Sequence, residues 1–464
     1  MSPPTAIPAR AETPVTWPRP IYAWYVVVVL TLAQTLAFVD RQVISLMVGP
    51  IKAELGLSDV QVSLLGGPAF ALFYTILGIP IGRLVDRRSR RLIISIGILI
   101  WSAATFACGL ARTFALLFMA RIGVGVGEAA LSPGAYSMIA DYFPPDRLTR
   151  PTSFYLSGVW FGTGLAFIMG GFVIDMVGTV ELISVPLLGD LKPWQLVFMA
   201  VAMPGLIFPL IMLTVKEPIR RNTITRTDGD ETKGVSLRQA VTFIWQHRKT
   251  YAPLFTSLGL YAAYGLGTSF WTIEFFIREF GAPRANVSYV YGLLSFIFGT
   301  CGSLSAGWVA DRLERRGVKD AKLLTAVLGM ACMVPVAVLF PLMPSMTLAA
   351  VCVAGIVFLT PFPYGPAVAA IQVVTPNEMR GFVSALYLFV AIVLGLGLGP
   401  TLIAMMTDYV FQGPELLPLS LVAAGSILVP LAAALMQFAR AQFRRSLRDA
   451  EVWTERMPYA KPTI

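Results

Sequence analysis

Four charged side chains lie inside long apolar runs: Asp40 and Arg41 in one, Arg121 and Glu128 in another. A charge at the centre of a bilayer costs ~2.5–3.5 kcal/mol on insertion scales, so such residues face a partner or a wet cavity. A carboxyl beside a guanidinium and an apolar wall feels two opposing influences. The cation favours ionisation, and desolvation favours the neutral acid. Opening that site to one side and then the other shifts the balance, which links proton uptake to conformation. Arginine stays charged and cannot carry the proton. Asp40 is the first candidate for the proton site and Glu128 the second, with Arg121 as the fixed cation. A static Asp40–Arg121 ion pair is the plainer alternative.

Helix rise sets the depths. If the first run ends near Val48, Asp40 lies roughly 12 Å from that end, and Arg121 lies roughly 10 Å from the start of its run near Phe114. The two are level and are expected to pair, whereas Arg41 points about 100° away from Asp40. Glu128 falls on nearly the same helix face as Arg121, roughly 10 Å deeper. Between them Gly123, Gly125 and Gly127 permit close helix packing. A nucleotide-loop reading of these glycines is poor, since no strand precedes them. Arg41 and Arg121 suit an anionic head group, so Arg41, Arg121 and Glu128 are the candidate substrate contacts.

In the second half of the chain, Glu274 is followed one turn later by Arg278, an outer gate or ion pair. The rest offers aromatic side chains (Tyr261, Tyr264, Phe270, Trp271, Phe298, Phe362, Tyr364 and Tyr387). Taken with the charges of the first half, they suggest a cavity with one polar and one greasy wall.

These residues need helices to hold them. Of 464 residues 56% are hydrophobic and 13% charged, against the roughly 25% charged of a soluble domain. The chain is therefore read as an integral membrane protein. Its apolar runs are too long for barrel strands, which alternate over roughly ten residues. At about twenty residues per span there are twelve spans, from Tyr22–Val48 to Leu417–Ala439, with the seventh over Tyr251–Ile277 and the second started by a capping box at Ser58-Asp59-Val60-Gln61. The fold expected is all-α, in two six-helix pseudo-symmetric halves. The division is a tail over 1–20, a first bundle over 21–215, a linker over 216–249, a second bundle over 250–440 and a tail over 441–464. Within the linker, Val235 to Gln246 is amphipathic and is expected to lie along the inner membrane surface.

The net charge is +10, and the basic residues gather in alternate loops. This reads as positive-inside topology with both termini cytoplasmic, not as nucleic-acid binding. The first twenty residues lack the apolar core of a cleavable signal. The four cysteines fall in apolar runs, and His247 is the single histidine. A metal site, a histidine-based triad and a cofactor are not expected. With no phosphate-binding loop either, the chain is not expected to be an enzyme or an ATP-driven pump.

A loop after the second span, Gly82-Arg83-Leu84-Val85-Asp86-Arg87-Arg88-Ser89-Arg90-Arg91, is repeated after the eighth as Gly307-Trp308-Val309-Ala310-Asp311-Arg312-Leu313-Glu314-Arg315-Arg316. Internal repeats with a binding site between them are the usual build of secondary transporters. The repeated loop, the twelve spans and the central linker resemble the major facilitator superfamily across nearly the whole chain. Arg121 to Ala129 resembles its intramembrane arginine motif. The glycine motif of the fifth span matches in part, with Gly162-Thr163 where a Gly-Pro pair is usual. Phe38-Val39-Asp40-Arg41, and Arg121 running on to Ile139-Ala140-Asp141-Tyr142-Phe143, are similar to the Spinster lipid transporters.

That resemblance implies an alternating-access, proton-coupled secondary transporter of lysophospholipids or sphingolipids, working as a monomer in a bacterial inner membrane. Its partners would be protons, an amphipathic or anionic small molecule and membrane lipids. It also implies that Asp86, Arg87, Arg91, Asp311, Arg312 and Arg316 close a cytoplasmic gate. The Asp-Arg pair of span one, and the Glu-Ala followed by Pro133, also resemble organic anion:cation symporters. Transport of small organic anions, coupled to protons or another cation, is therefore the alternative.

Overall fold

The computed structural model describes residues 17–144, 147–177, 182–185, 189–219, 237–376 and 379–456. Parts of both expected tails and of the linker, residues 1–16, 220–236 and 457–464, lie outside them.

Among the described residues, twelve long helices form a bundle. The first half holds Pro20–Leu46, Asp59–Gly66 continued by Pro68–Arg87, Arg90–Leu110, Phe114–Glu128 continued by Leu131–Tyr142, Thr149–Val177 and Pro193–Met212. The second holds Arg248–Phe280, Arg284–Arg315, Ala321–Leu342, Met346–Val373, Phe382–Phe411 and Leu417–Arg456. Among the described residues, eleven are both long and apolar enough to cross a membrane. The remaining one is the seventh, whose 33 residues include Glu274, Arg278 and many hydroxyls. It is packed by the first, eleventh and twelfth spans, so protein rather than lipid satisfies its polar groups. Lipid-facing side chains such as Met119, Phe172, Leu210, Leu304 and Val351 are more than half exposed. The molecule is a multi-pass membrane protein.

Breaks in the helices follow from the sequence. The second span starts on the expected capping box, with Ser58 Oγ accepting from the Gln61 N–H at 3.2 Å and Gln61 Oε1 accepting from the Ser58 N–H at 3.0 Å. It is interrupted at Gly67, just before Pro68. The fourth is interrupted at Ala129-Ala130, where Pro133 has no N–H for the Ala129 carbonyl. Outside the helices, β1 (Ile183–Val185) and β2 (Gly189–Leu191) pair antiparallel, Ser184 opposite Asp190. The sequence reading did not foresee this hairpin.

The two halves meet along two seams, the fifth span against the eighth and the second against the eleventh. At the first, Gly164 and Gly292 lie backbone to backbone: a Cβ on either would stand 2.8 or 2.7 Å from the other's carbonyl oxygen. The second-half partner on each seam contains π-helical turns, Ser295–Gly299 in the eighth span and Ile392–Leu398 in the eleventh. Such turns in helices are frequent at functional sites. Both described chain ends lie at one end of the bundle, here the terminal end; the opposite end is the distal end.

Candidate functional site

Arg121 and Asp40 are level, as the helix rise requires, but the bond between them is not the expected one. Arg121 Nη1 donates to the backbone carbonyl of Asp40 at 3.2 Å, and its Nε donates to the carbonyl of Leu65, also at 3.2 Å. No Arg121 nitrogen comes within the 4.0 Å of an ion pair with the Asp40 carboxylate. The cause lies in the second span, where the break at Gly67-Pro68 takes the Leu65 carbonyl out of regular helix bonding, and a guanidinium fork can bridge two such carbonyls. The Asp40 carboxylate turns instead towards Trp101 and Thr105 of the third span, and Ser102 lies beside it across Gly205. Asp40 and Arg121 are both fully buried.

Arg41, which sequence reasoning left without a protein partner, forms an ion pair with Glu128 through Nη2 and Oε2. Its guanidinium carbon stands 4.5 Å from the ring centres of Phe38 and Phe70 and 5.7 Å from that of Tyr74, an arrangement that favours a cation over aromatic faces. The pair forms the wall of a cavity of about 120 Å³, with Gln34, Tyr74 and Ser132 among its lining. The glycines between Arg121 and Glu128 make this possible. A Cβ on Gly127 would stand 2.6 Å from the Trp101 backbone nitrogen, and one on Gly125 2.7 Å from the Phe70 carbonyl. The fourth span therefore lies against the third and second at backbone distance.

Phe38 separates this cavity from a second one of about 90 Å³ between the halves. There the wall is Leu266, Val353, Ile356 and Val357, dotted with hydroxyls including those of Thr268, Thr272 and Ser295. None of the eight aromatics proposed for the greasy wall lines it. Several serve the core instead: the Trp271 indole donates to the Pro400 carbonyl at 2.9 Å, and the Tyr261 hydroxyl donates to that of Leu359 at 2.9 Å.

At the distal end, Glu274 and Arg278 do pair, at 3.2 Å, within a wider network. Arg278 grips both carboxylate oxygens of Asp59 in the opposite half, at 2.7 and 2.9 Å. Lys52 joins Asp59 at 2.6 Å, Arg284 joins Glu274 at 3.1 Å, and Arg284 also donates to the Leu46 carbonyl at 2.9 Å. Asp408 accepts from the Val60 N–H at 2.8 Å, and Ser63 bonds Thr401 at 3.2 Å. Of these, the Arg278–Asp59, Arg284–Leu46, Asp408–Val60 and Ser63–Thr401 links cross between the halves and pin them together at that end. Asp59 was missed because it reads as an ordinary acidic residue of a helix first turn.

Among the described side chains, no ion pair joins the gate residues of the first half to those of the second at the terminal end. Arg87, Asp311, Arg312 and Arg316 are exposed. The last three line a cleft of about 230 Å³ with Trp308, and the side chain of Asp86 lies outside the described residues. Arg91 serves its own half, donating to the carbonyls of Leu213 and Val215 at 3.4 and 3.3 Å. The ordered cation there is its neighbour Arg90, fully buried and bonded to Asp141 and, at 2.8 Å, to Glu217. Burial pushes the Glu217 carboxyl up, but the Arg90 side chain, the Arg91 N–H and the Ser89 hydroxyl outweigh it and hold Glu217 below its usual range. In the second half Asp320 is gripped by Arg440 and, at 2.8 Å, by Arg444. Burial again pushes up, and the two arginines hold Asp320 below its usual range. In the linker, Leu237–Gln246 is helical, with Phe243 turned inward and Val241 and Trp245 more than half exposed.

Comparison with known proteins agrees with this architecture. A solved bacterial homologue of the human lysosomal transporter Spinster, in an inward-facing and unoccupied conformation, superposes with a TM-score of 0.73 at 26% identity, covering 96% of this chain and 100% of that one. An MFS-type efflux pump of Mycolicibacterium smegmatis is 26% identical over 84% of this chain and 85% of its own length. A hexuronate transporter of Bacillus subtilis is 25% identical over 89% and 94%. The family model of the Major Facilitator Superfamily matches residues 30–400. With two six-helix halves, paired seams and a charged cavity between helices, this chain belongs to the Major Facilitator Superfamily and is Spinster-like within it.

Proposed function

We propose that the protein is a proton-coupled secondary transporter that moves amphipathic lipids of lysophospholipid or sphingolipid type by alternating access. The observation that carries this reading is the Arg41–Glu128 pair on the wall of one cavity, one phenylalanine away from a mainly apolar chamber. A charged head group and an apolar chain would each find a matching surface. Glu128 and a substrate anion compete for the same guanidinium, so a proton on Glu128 frees Arg41 for the substrate. Asp40 is a second proton site, since a carboxyl without an ion-pair partner takes up a proton without breaking a salt bridge. Arg121 holds the first, second and fourth spans in register around it.

On this reading the terminal end is cytoplasmic, the protein sits in a bacterial inner membrane as a monomer, and the conformation is inward-facing. Asp86, Arg87, Arg91, Asp311, Arg312 and Arg316 then converge only when the cytoplasmic side closes, and Leu237–Gln246 rests on the inner leaflet. The chamber's hydroxyls and the similarity to a hexuronate transporter favour a second reading, transport of a small organic anion. Purified protein in vesicles decides between them. Under the first reading lysolipid or sphingoid substrates drive proton flux and hexuronates do not. Asp40→Asn should abolish the pH-dependent conformational change while leaving folded protein. A normally responsive Asp40→Asn removes Asp40 from the mechanism, and flux with hexuronate alone selects the second reading.

A further inference from the structure

Among the described residues, eleven buried side-chain polar atoms lack a hydrogen-bond partner, and seven of them belong to the first, third and fourth spans of the first half. Beside the Asp40 carboxylate are the side chains of Trp101, Ser102 and Thr105. On the cavity wall are Arg41 Nε and Glu128 Oε1, and Arg121 Nη2 lies about two turns from Glu128 along the fourth span. Buried polar groups are nearly always bonded, so such a concentration demands an occupant.

Thr105 makes the point sharply. Other helix threonines of this half turn their hydroxyls onto the preceding turn: Thr31 to the Val27 carbonyl at 2.8 Å, Thr75 to Ala71 at 2.7 Å, Thr163 to Val159 at 2.8 Å. Thr105 and Ser102 forgo that bond although both are wholly buried, and Thr105 faces the Asp40 carboxylate instead.

The donor set selects the occupant. A metal cation needs ligands with a free lone pair, whereas this cluster mixes carboxylate and hydroxyl oxygens with the N–H groups of Trp101, Arg121 and Arg41, which have none to offer. Water accepts from an N–H, donates to a carboxylate and exchanges bonds with hydroxyls, and two to four such partners are what a buried water requires. The cavity beside Glu128, at about 120 Å³, exceeds the roughly 30 Å³ of one liquid water several times over.

We propose that these groups hold a short file of ordered water joining the Asp40 niche to the Glu128 cavity, and that a proton passes between the two carboxyls along it. In each step a water gives one proton to its neighbour and receives one from the other side. One proton leaves one carboxyl and one arrives at the other, with no atom consumed. The relay rests on the proton-coupling reading above; the hydration does not.

The test is hydroxyl-radical footprinting of the full-length protein by X-ray radiolysis, read by mass spectrometry at two tryptophans. Both Trp101 and Trp271 are wholly buried, but the Trp271 indole is bonded to a carbonyl. Trp101 should be labelled several times faster. Thr105→Val combined with Ser102→Ala should bring its labelling down towards that of Trp271 and slow substrate-driven proton flux severalfold. Thr105→Ser should retain both, which separates the relay from a packing role and serves also if the double variant fails to fold. Wild-type labelling of Trp101 as slow as that of Trp271 overturns the hydrated file. Sodium that stimulates uptake and protects Trp101 overturns it in favour of a metal site. A labelled Trp101 in a protein with no substrate-linked proton flux overturns the relay and the coupling reading while supporting the hydration.

Discussion

At the scale of single residues, burial decides what the Arg41–Glu128 pair is worth. The Glu128 side chain is 1% exposed and that of Arg41 19%. Removing one partner of a buried pair costs about 3–5 kcal/mol, because the other is left as an uncompensated charge. The cost should be unequal here. Arg41→Ala strands a fully buried carboxylate and should lower the thermal midpoint strongly. Glu128→Gln leaves Arg41 partly solvated and still faced by three rings, so it should lower the midpoint less. Thermal unfolding of both variants in one detergent at neutral pH checks this, and equal losses would mean that desolvation is not what holds the pair. The sequence alone placed these residues at their depths, because rise per residue needs nothing but spacing. It could not say which atom meets which. That Arg121 takes the carbonyls of Asp40 and Leu65 depends on a helix break at Gly67 and on where the third span lies, and neither is a property of one helix face.

At the scale of the elements, the glycines of the fourth span have unequal burdens. A Cβ on Gly127 would meet the Trp101 backbone nitrogen at 2.6 Å and the Gly97 carbonyl at 2.7 Å, whereas one on Gly123 would meet only the Ala104 methyl at 3.0 Å. Backbone cannot rotate away as a side chain can. Gly127→Ala should therefore cost ~1–3 kcal/mol as an overpacked core does, and Gly123→Ala much less, as thermal midpoints will show. Helix ends carry a second prediction. Glu217 and Asp320 clamp helix ends in the two halves, and both are held below their ordinary range by arginines. A depressed folded-state pKa adds stability that is present at neutral pH and is lost as pH falls through the depressed value. Asp320→Asn should therefore lower the midpoint at pH 7. The gap to wild type should narrow below about pH 4, where ordinary carboxyls take up protons. A gap constant down to pH 3 would remove the ion pairs as its cause. The repeated loops were readable as repeats, yet the buried clamp residue among their arginines is Arg90, next to the expected Arg91. Spacing marks where a cluster of cations lies, not which of them turns inward.

At the scale of the whole molecule, the alternating-access reading gives the distal network the task of setting which of two arrangements the halves adopt. Of its charges, Asp59 and Arg278 are joined across the halves by a bidentate pair at 2.7 and 2.9 Å, whereas Lys52 and Asp59 belong to the same half. A hydrogen bond to a charged group contributes about 1.5–3 kcal/mol, and every 1.4 kcal/mol is about tenfold in an equilibrium. Arg278→Gln, or Asp59→Asn, should therefore move the population towards the distal-open form by tenfold or more. Lys52→Met removes a similar charge from the same carboxylate but no link between halves, so it should leave the ratio nearly unchanged. Spin labels on the distal ends of the first and seventh spans, read as distance distributions in nanodiscs, distinguish these cases. Equal shifts from Lys52→Met and Arg278→Gln would mean that local charge, not the bond between halves, holds the distal end shut. The seams set how the motion proceeds once that bond is gone. Gly164 and Gly292 touch through backbone alone, and beside them the π-helical turn of the eighth span stacks Phe296 on Phe161 of the fifth, with ring centres 5.1 Å apart. Gly292→Leu should accordingly hinder closure at the terminal end even in the Arg278→Gln background. Substrate uptake would stay low there although the distal latch is open.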